Sequence, residues 1–139
     1  MNKTFWIAFV AAYIVCHVIG FLVHGIWLDP TYQALAAIFR PKAEMDAMMW
    51  QMFVSSAIAI FAFSYIFTKG YEGKGIMEGV RYGFWIALLV GIPTAMDQHW
   101  VYPVPADLAI KWGVSNVVTW VVLGAVVAAI YKPDAAKAA

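Results

Sequence analysis

Charge is what this sequence has least of. Only 12% of its 139 residues are Asp, Glu, Lys or Arg, about half the share of an ordinary soluble domain. The formal net charge is +1, which leaves no broad basic surface for nucleic acid. Cysteine occurs once, at Cys16, so no disulfide can close within the chain. Inside an apolar run such a lone thiol behaves as a small packing residue. Soluble-type catalytic signatures are missing too. There is no Gly-rich phosphate loop, no His-Glu-x-x-His and no convincing nucleophile with a base. No catalytic residue can be nominated, which weighs against an enzyme.

What the sequence does have is apolar length. Hydrophobic residues make up 64% of the chain and the mean hydropathy is +0.76. Four runs reach the roughly 20 apolar residues that a membrane-spanning helix needs: about Phe5 to Trp27, Met48 to Thr68, Ile76 to Met96 and Leu108 to Tyr131. Seven Trp and seven Tyr fit the same reading, because amphipathic rings collect at membrane interfaces. The first run is too long for a signal sequence and lacks a small-residue cleavage site, so it reads as a retained helix. The expected fold is all-α, an integral membrane four-helix bundle in one domain over 1–139, with the lipid bilayer as its solvent.

Cationic residues near the span ends set the expected orientation. Lys3, Lys69, Lys74, Arg81, Lys132 and Lys137 collect on one side, and Arg40, Lys42 and Lys111 on the other. The excess puts both termini in the cytoplasm and the loops 28–47 and 97–107 outside. A short interfacial helix is expected from Tyr32 to Phe39. The stretch His99 to Pro105, with two prolines and two aromatics besides His99, reads as a rigid turn. Lys69 to Gly75 is short and glycine-rich, so the helices on either side are antiparallel neighbours. The tail after Lys132 is small and polar and is expected to fray.

Small residues recur every four positions. Gly75, Gly79, Gly83, Ala87, Gly91 and Ala95 do so in the third run, and Ala8, Ala12, Cys16 and Gly20 in the first. Such stripes let helix backbones approach closely. We therefore expect packing roles of the glycine-zipper kind for Gly75, Gly79, Gly83, Gly91 and Gly20. Pro93 should kink the third helix or end its regular part.

Ionisable and polar groups inside apolar runs need an account. His17 and His24 are two turns apart on one face of the first helix. Continuing each small stripe by four places reaches His24 and His99. A neutral imidazole can ligate a metal or a haem-type macrocycle, and a glycine beside it leaves room for a flat ring. The expected cofactor-binding residues are thus His24, His99 and His17, with haem, bacteriochlorophyll or copper as ligands. Gly20-x-x-x-His24 is similar to the small-x-x-x-His sites of light-harvesting chlorophyll proteins. Met45, Met48, Met49 and Met52 form a second candidate, since soft thioethers favour Cu(I); the competing account is gap-filling by unbranched side chains. Asn116 and Ser56 are expected to be interior polar residues, either lining a path or bonding between helices. Glu78 with Arg81, and Asp107 with Lys111, have the spacing of local ion pairs.

Three segments carry a wider resemblance: His24-Gly25-Ile26-Trp27, Gly79-x-x-x-Gly83 and Gly124-Ala125-Val126-Val127. In these and in layout the chain resembles small four-helix bacterial inner-membrane proteins of uncharacterised function. The resemblance implies a bacterial inner-membrane bundle and transfers no active site. The function expected is a non-catalytic accessory or structural subunit of a larger membrane assembly, bound to other subunits or to itself. A cofactor- or copper-binding protein and a small dimeric transporter are the alternatives.

Overall fold

The computed structural model describes residues 1–133. Lys137 of the cationic set, and most of the tail expected to fray, lie outside the described residues. All regular structure among the described residues is helical. Four helices are long and apolar enough to cross a membrane: α1 (Lys3–Trp27), α4 (Met49–Lys69), α5 (Ile76–Val101) and α6 (Ala106–Ile130). Two short helices, α2 (Asp29–Ala34) and α3 (Lys42–Ala47), lie between α1 and α4.

The long helices run alternately up and down. Asn2 caps α1 by accepting the Phe5 N–H at 3.0 Å, satisfying one of the donors a helix start leaves open. The Asn2 amide and the Thr4 hydroxyl also donate to the Lys132 carbonyl, at 2.8 and 2.6 Å. The start of α1 and the end of α6 therefore meet at one end of the bundle, the terminal end. The opposite loop end carries 28–48 and 102–105. Helix α6 packs between α1 and α5, while α4 lies against α1.

Two separate cores result. In the terminal-end half, Ala8, Ala12, Ile60, Phe63, Phe67, Leu123 and Val127 are buried together. At the loop end a smaller cluster joins Leu28, Val104 and Leu108. The α5 stripe is buried from Gly79 through Gly83, Ala87 and Gly91 to Ala95, and its first members meet α6. A Cβ on Gly79 would overlap the Gly124 carbonyl, and one on Gly83 the Trp120 carbonyl. Only glycine allows backbones this close. The other two glycines of the set differ. Gly20 has nothing within 4 Å of where a Cβ would stand. Gly75 precedes α5 at φ 74° and also faces open space, so it serves the turn through its left-handed backbone.

Several expectations need correction. The loop 28–47 holds two short helices, α2 and α3, where one over Tyr32–Phe39 was expected. Pro30 in the first turn of α2 and the Lys42–Asp46 pair along α3 supply the local support. Helix α5 runs past Pro93 to Val101, five residues beyond the expected limit at Met96. The backbone widens first into a π-helical turn, Ala87–Gly91, and the Ile92 N–H reaches back to the Ala87 carbonyl. Pro93 follows at the second position of the next α-helical stretch, Ile92–Val101, where it has no N–H to donate. Glu78 does not pair with Arg81. It is buried, and its carboxylate accepts the backbone N–H groups of Glu72 and Lys74 at 2.6 and 2.7 Å. The turn bends tightly enough for this because Gly73 and Gly75 both adopt positive φ. Asp107 and Lys111 do pair, at 2.9 Å.

Candidate functional site at the loop end

His24, His99 and Met45, Met48, Met49 and Met52 lie toward the loop end. Helix α1 loosens into a π-helical stretch over Phe21–Trp27, and His24 sits within it. Its Nδ1 lies 2.6 Å from the Tyr32 hydroxyl, which also accepts the Trp112 indole N–H at 2.8 Å. An indole nitrogen can only donate. The arrangement that uses every hydrogen therefore runs Trp112 to Tyr32 to His24, with Nδ1 as the final acceptor. A neutral His24 then carries its proton on Nε2 and presents a donor outward. The relay ties α1, α2 and α6 together. The Tyr32 and His24 rings stack, with 6.0 Å between centroids and 13° between planes, and Phe39 meets Tyr32 edge-on. Burial pushes the Tyr32 phenol above its ordinary pKa, and the Trp112 hydrogen bond offsets part of that rise.

His99 has the opposite polarity. Its Nδ1 lies 2.9 Å from the Val104 carbonyl, which can only accept. The proton is fixed on Nδ1, and the Nε2 lone pair of the neutral ring is the free one. His99 is thus ready to ligate through Nε2. His24 could do so only by moving its proton to Nδ1, which would make Tyr32 accept two hydrogen bonds.

His17 lies deeper, between α1 and α4. Its Nε2 is 3.1 Å from the Ser56 hydroxyl, and its ring packs between Tyr13 and Phe53, at centroid distances of 4.5 and 4.8 Å. Ser56 also donates to the Phe53 carbonyl at 3.0 Å. Asn116 donates from Nδ2 to the Gly91 carbonyl at 2.8 Å, bracing the π-helical turn of α5 from α6. The two polar residues considered for a path are thus engaged in contacts inside or between helices.

The four methionines behave differently. Met45, Met48, Met49 and Met52 are all exposed, and they line one open groove of about 370 Å³ with Arg40, Asp46 and Gln51. At the terminal end a second cavity, about 490 Å³, lies among Phe5, Tyr65, Thr68, Lys69 and Tyr71. Its edge carries Glu72, whose carboxyl is held below its ordinary pKa by Lys74, 2.5 Å away.

Among the described residues no three His, Cys, Asp or Glu side chains converge as a metal site would require. The residues that sequence reading missed are Tyr32, Trp112 and the carboxylate role of Glu78. Tyr32 and Trp112 are eighty positions apart, so no local pattern announces the relay. Glu78 could have been found from Gly73 and Gly75, since a glycine turn before a helix exposes N–H groups that a nearby carboxylate can accept. No protein family, no curated protein and no solved structure matches this chain.

Proposed function

We propose that this chain is a non-catalytic structural or accessory subunit of a larger membrane assembly. In this reading it is a four-span protein of the bacterial inner membrane with both termini in the cytoplasm, and its partner docks on the loop-end half of α4. One observation carries the proposal. Helix α4 contributes no buried side chain before Ile60, and every residue from Met49 to Ser55 is exposed. At the same end the rest of the chain is anchored by buried Leu28, Ala95 and Leu108.

Exposed Met, Trp and Phe side chains there are compatible with lipid alone. Gln51 stands at the polar end of α4, beside Arg40 and Asp46. A helix half that buries no side chain over two turns offers a packing face to another helix. The unmatched half of α4 therefore supports a contact with a second protein.

The test is purification of the tagged chain from native membranes in a mild detergent, with native mass spectrometry and a photo-crosslinker at Met52. A stoichiometric partner, crosslinked from Met52 but not from exposed Ile14 on α1, is the expected result. A stable, uncrosslinked monomer sinks the proposal.

A further inference from the structure

We propose that Met45, Met48, Met49 and Met52 form a binding site for a soft monovalent metal ion, Cu(I). The groove shares Met49 and Met52 with the partner face proposed above, but the site is argued from its own donors and tested on the isolated chain.

Positions 45, 48, 49 and 52 follow the three-and-four offsets that share one helix face. They span the junction of α3 and α4, where Met48 interrupts the regular helix at φ −100° and ψ 2°. Its N–H still reaches the Glu44 carbonyl at 3.2 Å. That bond closes the last turn of α3, and α4 starts afresh at Met49; what brings the four thioethers together is the groove, which all four side chains border.

The neighbouring charges decide which ion fits. Both carboxylates of α3 are already engaged. Lys42 holds Asp46 through both oxygens, at 2.9 and 2.8 Å, and Arg40 holds Glu44 at 3.4 Å. Two cations balance two anions, so the groove offers no net negative charge to a divalent ion. Hard ions such as Mg²⁺ or Ca²⁺ need free oxygen ligands, and Zn²⁺ needs imidazole, thiolate or carboxylate donors. The donors left over are thioether sulfurs, which are neutral and soft, and such ligands select Cu(I). Met side chains also have the torsional freedom to turn their sulfurs inward on an ion. Binding as proposed involves no electron transfer; Cu(I) enters and leaves in one oxidation state.

The experiment titrates the full chain, in mild detergent under anaerobic reducing conditions, with Cu(I) against a chromogenic Cu(I) chelator. Ag(I) serves as a second soft probe and Zn²⁺ as a borderline one. The expected result is one equivalent of Cu(I) withdrawn from the chelator, displaced by Ag(I) and not by Zn²⁺. The paired variants Met45→Leu/Met49→Leu and Met48→Leu/Met52→Leu should each lower the affinity by about tenfold or more, as loss of supporting ligand contacts does elsewhere. Cys16→Ser should leave it unchanged. Leucine keeps the volume at exposed positions, and far-UV circular dichroism confirms that each variant is folded. X-ray absorption at the copper edge gives a readout free of mutation: a sulfur shell is expected. No Cu(I) uptake, wild-type affinity in both paired variants, or an imidazole scattering pattern would each overturn the site.

Discussion

Replacing Gly79 with alanine tests the close crossing of α5 and α6. The new Cβ would stand 2.5 Å from the Ala128 Cβ and 2.6 Å from the Gly124 carbonyl carbon, with the carbonyl oxygen nearer still. Ordinary carbon contacts are about 3.5–4.0 Å, so the helices must part by roughly 1 Å. The obstacle is backbone, which cannot swing aside as a side chain can. A gap of about 0.5–1 Å forfeits a quarter to a half of each contact across the seam. Overpacking of this kind costs about 1–3 kcal/mol. Alanine returns up to about 1 kcal/mol of helix propensity. The net expectation is a loss of about 1–2 kcal/mol, roughly five- to thirtyfold in the ratio of folded to unfolded protein.

The assay is a denaturing-detergent titration followed by tryptophan fluorescence. Gly20→Ala is the internal control, because nothing lies within 4 Å of its added methyl; it should be neutral or slightly stabilising. Gly124→Ala should resemble Gly79→Ala. The double variant should cost less than the sum, since one separation of the helices relieves both overlaps. If Gly79→Ala unfolds like Gly20→Ala, the reasoning about this crossing is refuted.

Two further outcomes follow from single side chains. Ser64 is fully buried and its hydroxyl has no hydrogen-bond partner among the described residues, so Ser64→Ala should stabilise by about 1 kcal/mol, up to the 1–3 kcal/mol that an orphaned polar group costs; a destabilisation in the same titration would contradict this. Tyr32 has a folded pKa above its ordinary value, so its contribution is fully present below about pH 10 and is lost as pH rises through the higher folded value. Alkaline titration should therefore weaken the wild type relative to Tyr32→Phe, and the wild type should show one more phenol that titrates late, above the ordinary range; a Tyr32 that ionises at or below the ordinary value contradicts the burial.

Much of the fold is legible in the sequence because a long apolar run is a coarse, redundant signal. The expected starts and ends of α1, α4 and α6 fall within two residues of those observed. The α5 stripe is legible for the same reason, since four-residue spacing of small side chains is local information. At Pro93 only the expected helix end is misplaced: a π-helical turn precedes the proline and the helix continues to Val101. The charged residues misled where a non-local or backbone partner won, as at Glu78. The candidate site is less legible still. Residue types at the loop end could be nominated, but the polarity of each imidazole depends on Tyr32 and Val104, which no spacing rule connects to a histidine.

The two cores share no member, and α1 and α5 both change to π-helical register on the way from one half toward the other. The loop-end half is held by fewer buried side chains than the terminal-end half, and we expect it to open on its own. With three buried side chains at its centre, it is expected to open first. Amide protons there should exchange with solvent well before those of the Phe63–Leu123 core. His24, His99 and the methionine groove all belong to this readily opening end. A ligand or partner that engages it raises the free energy of that local opening by mass action, and the first sign of binding would be slower exchange at one end of an otherwise unchanged protein.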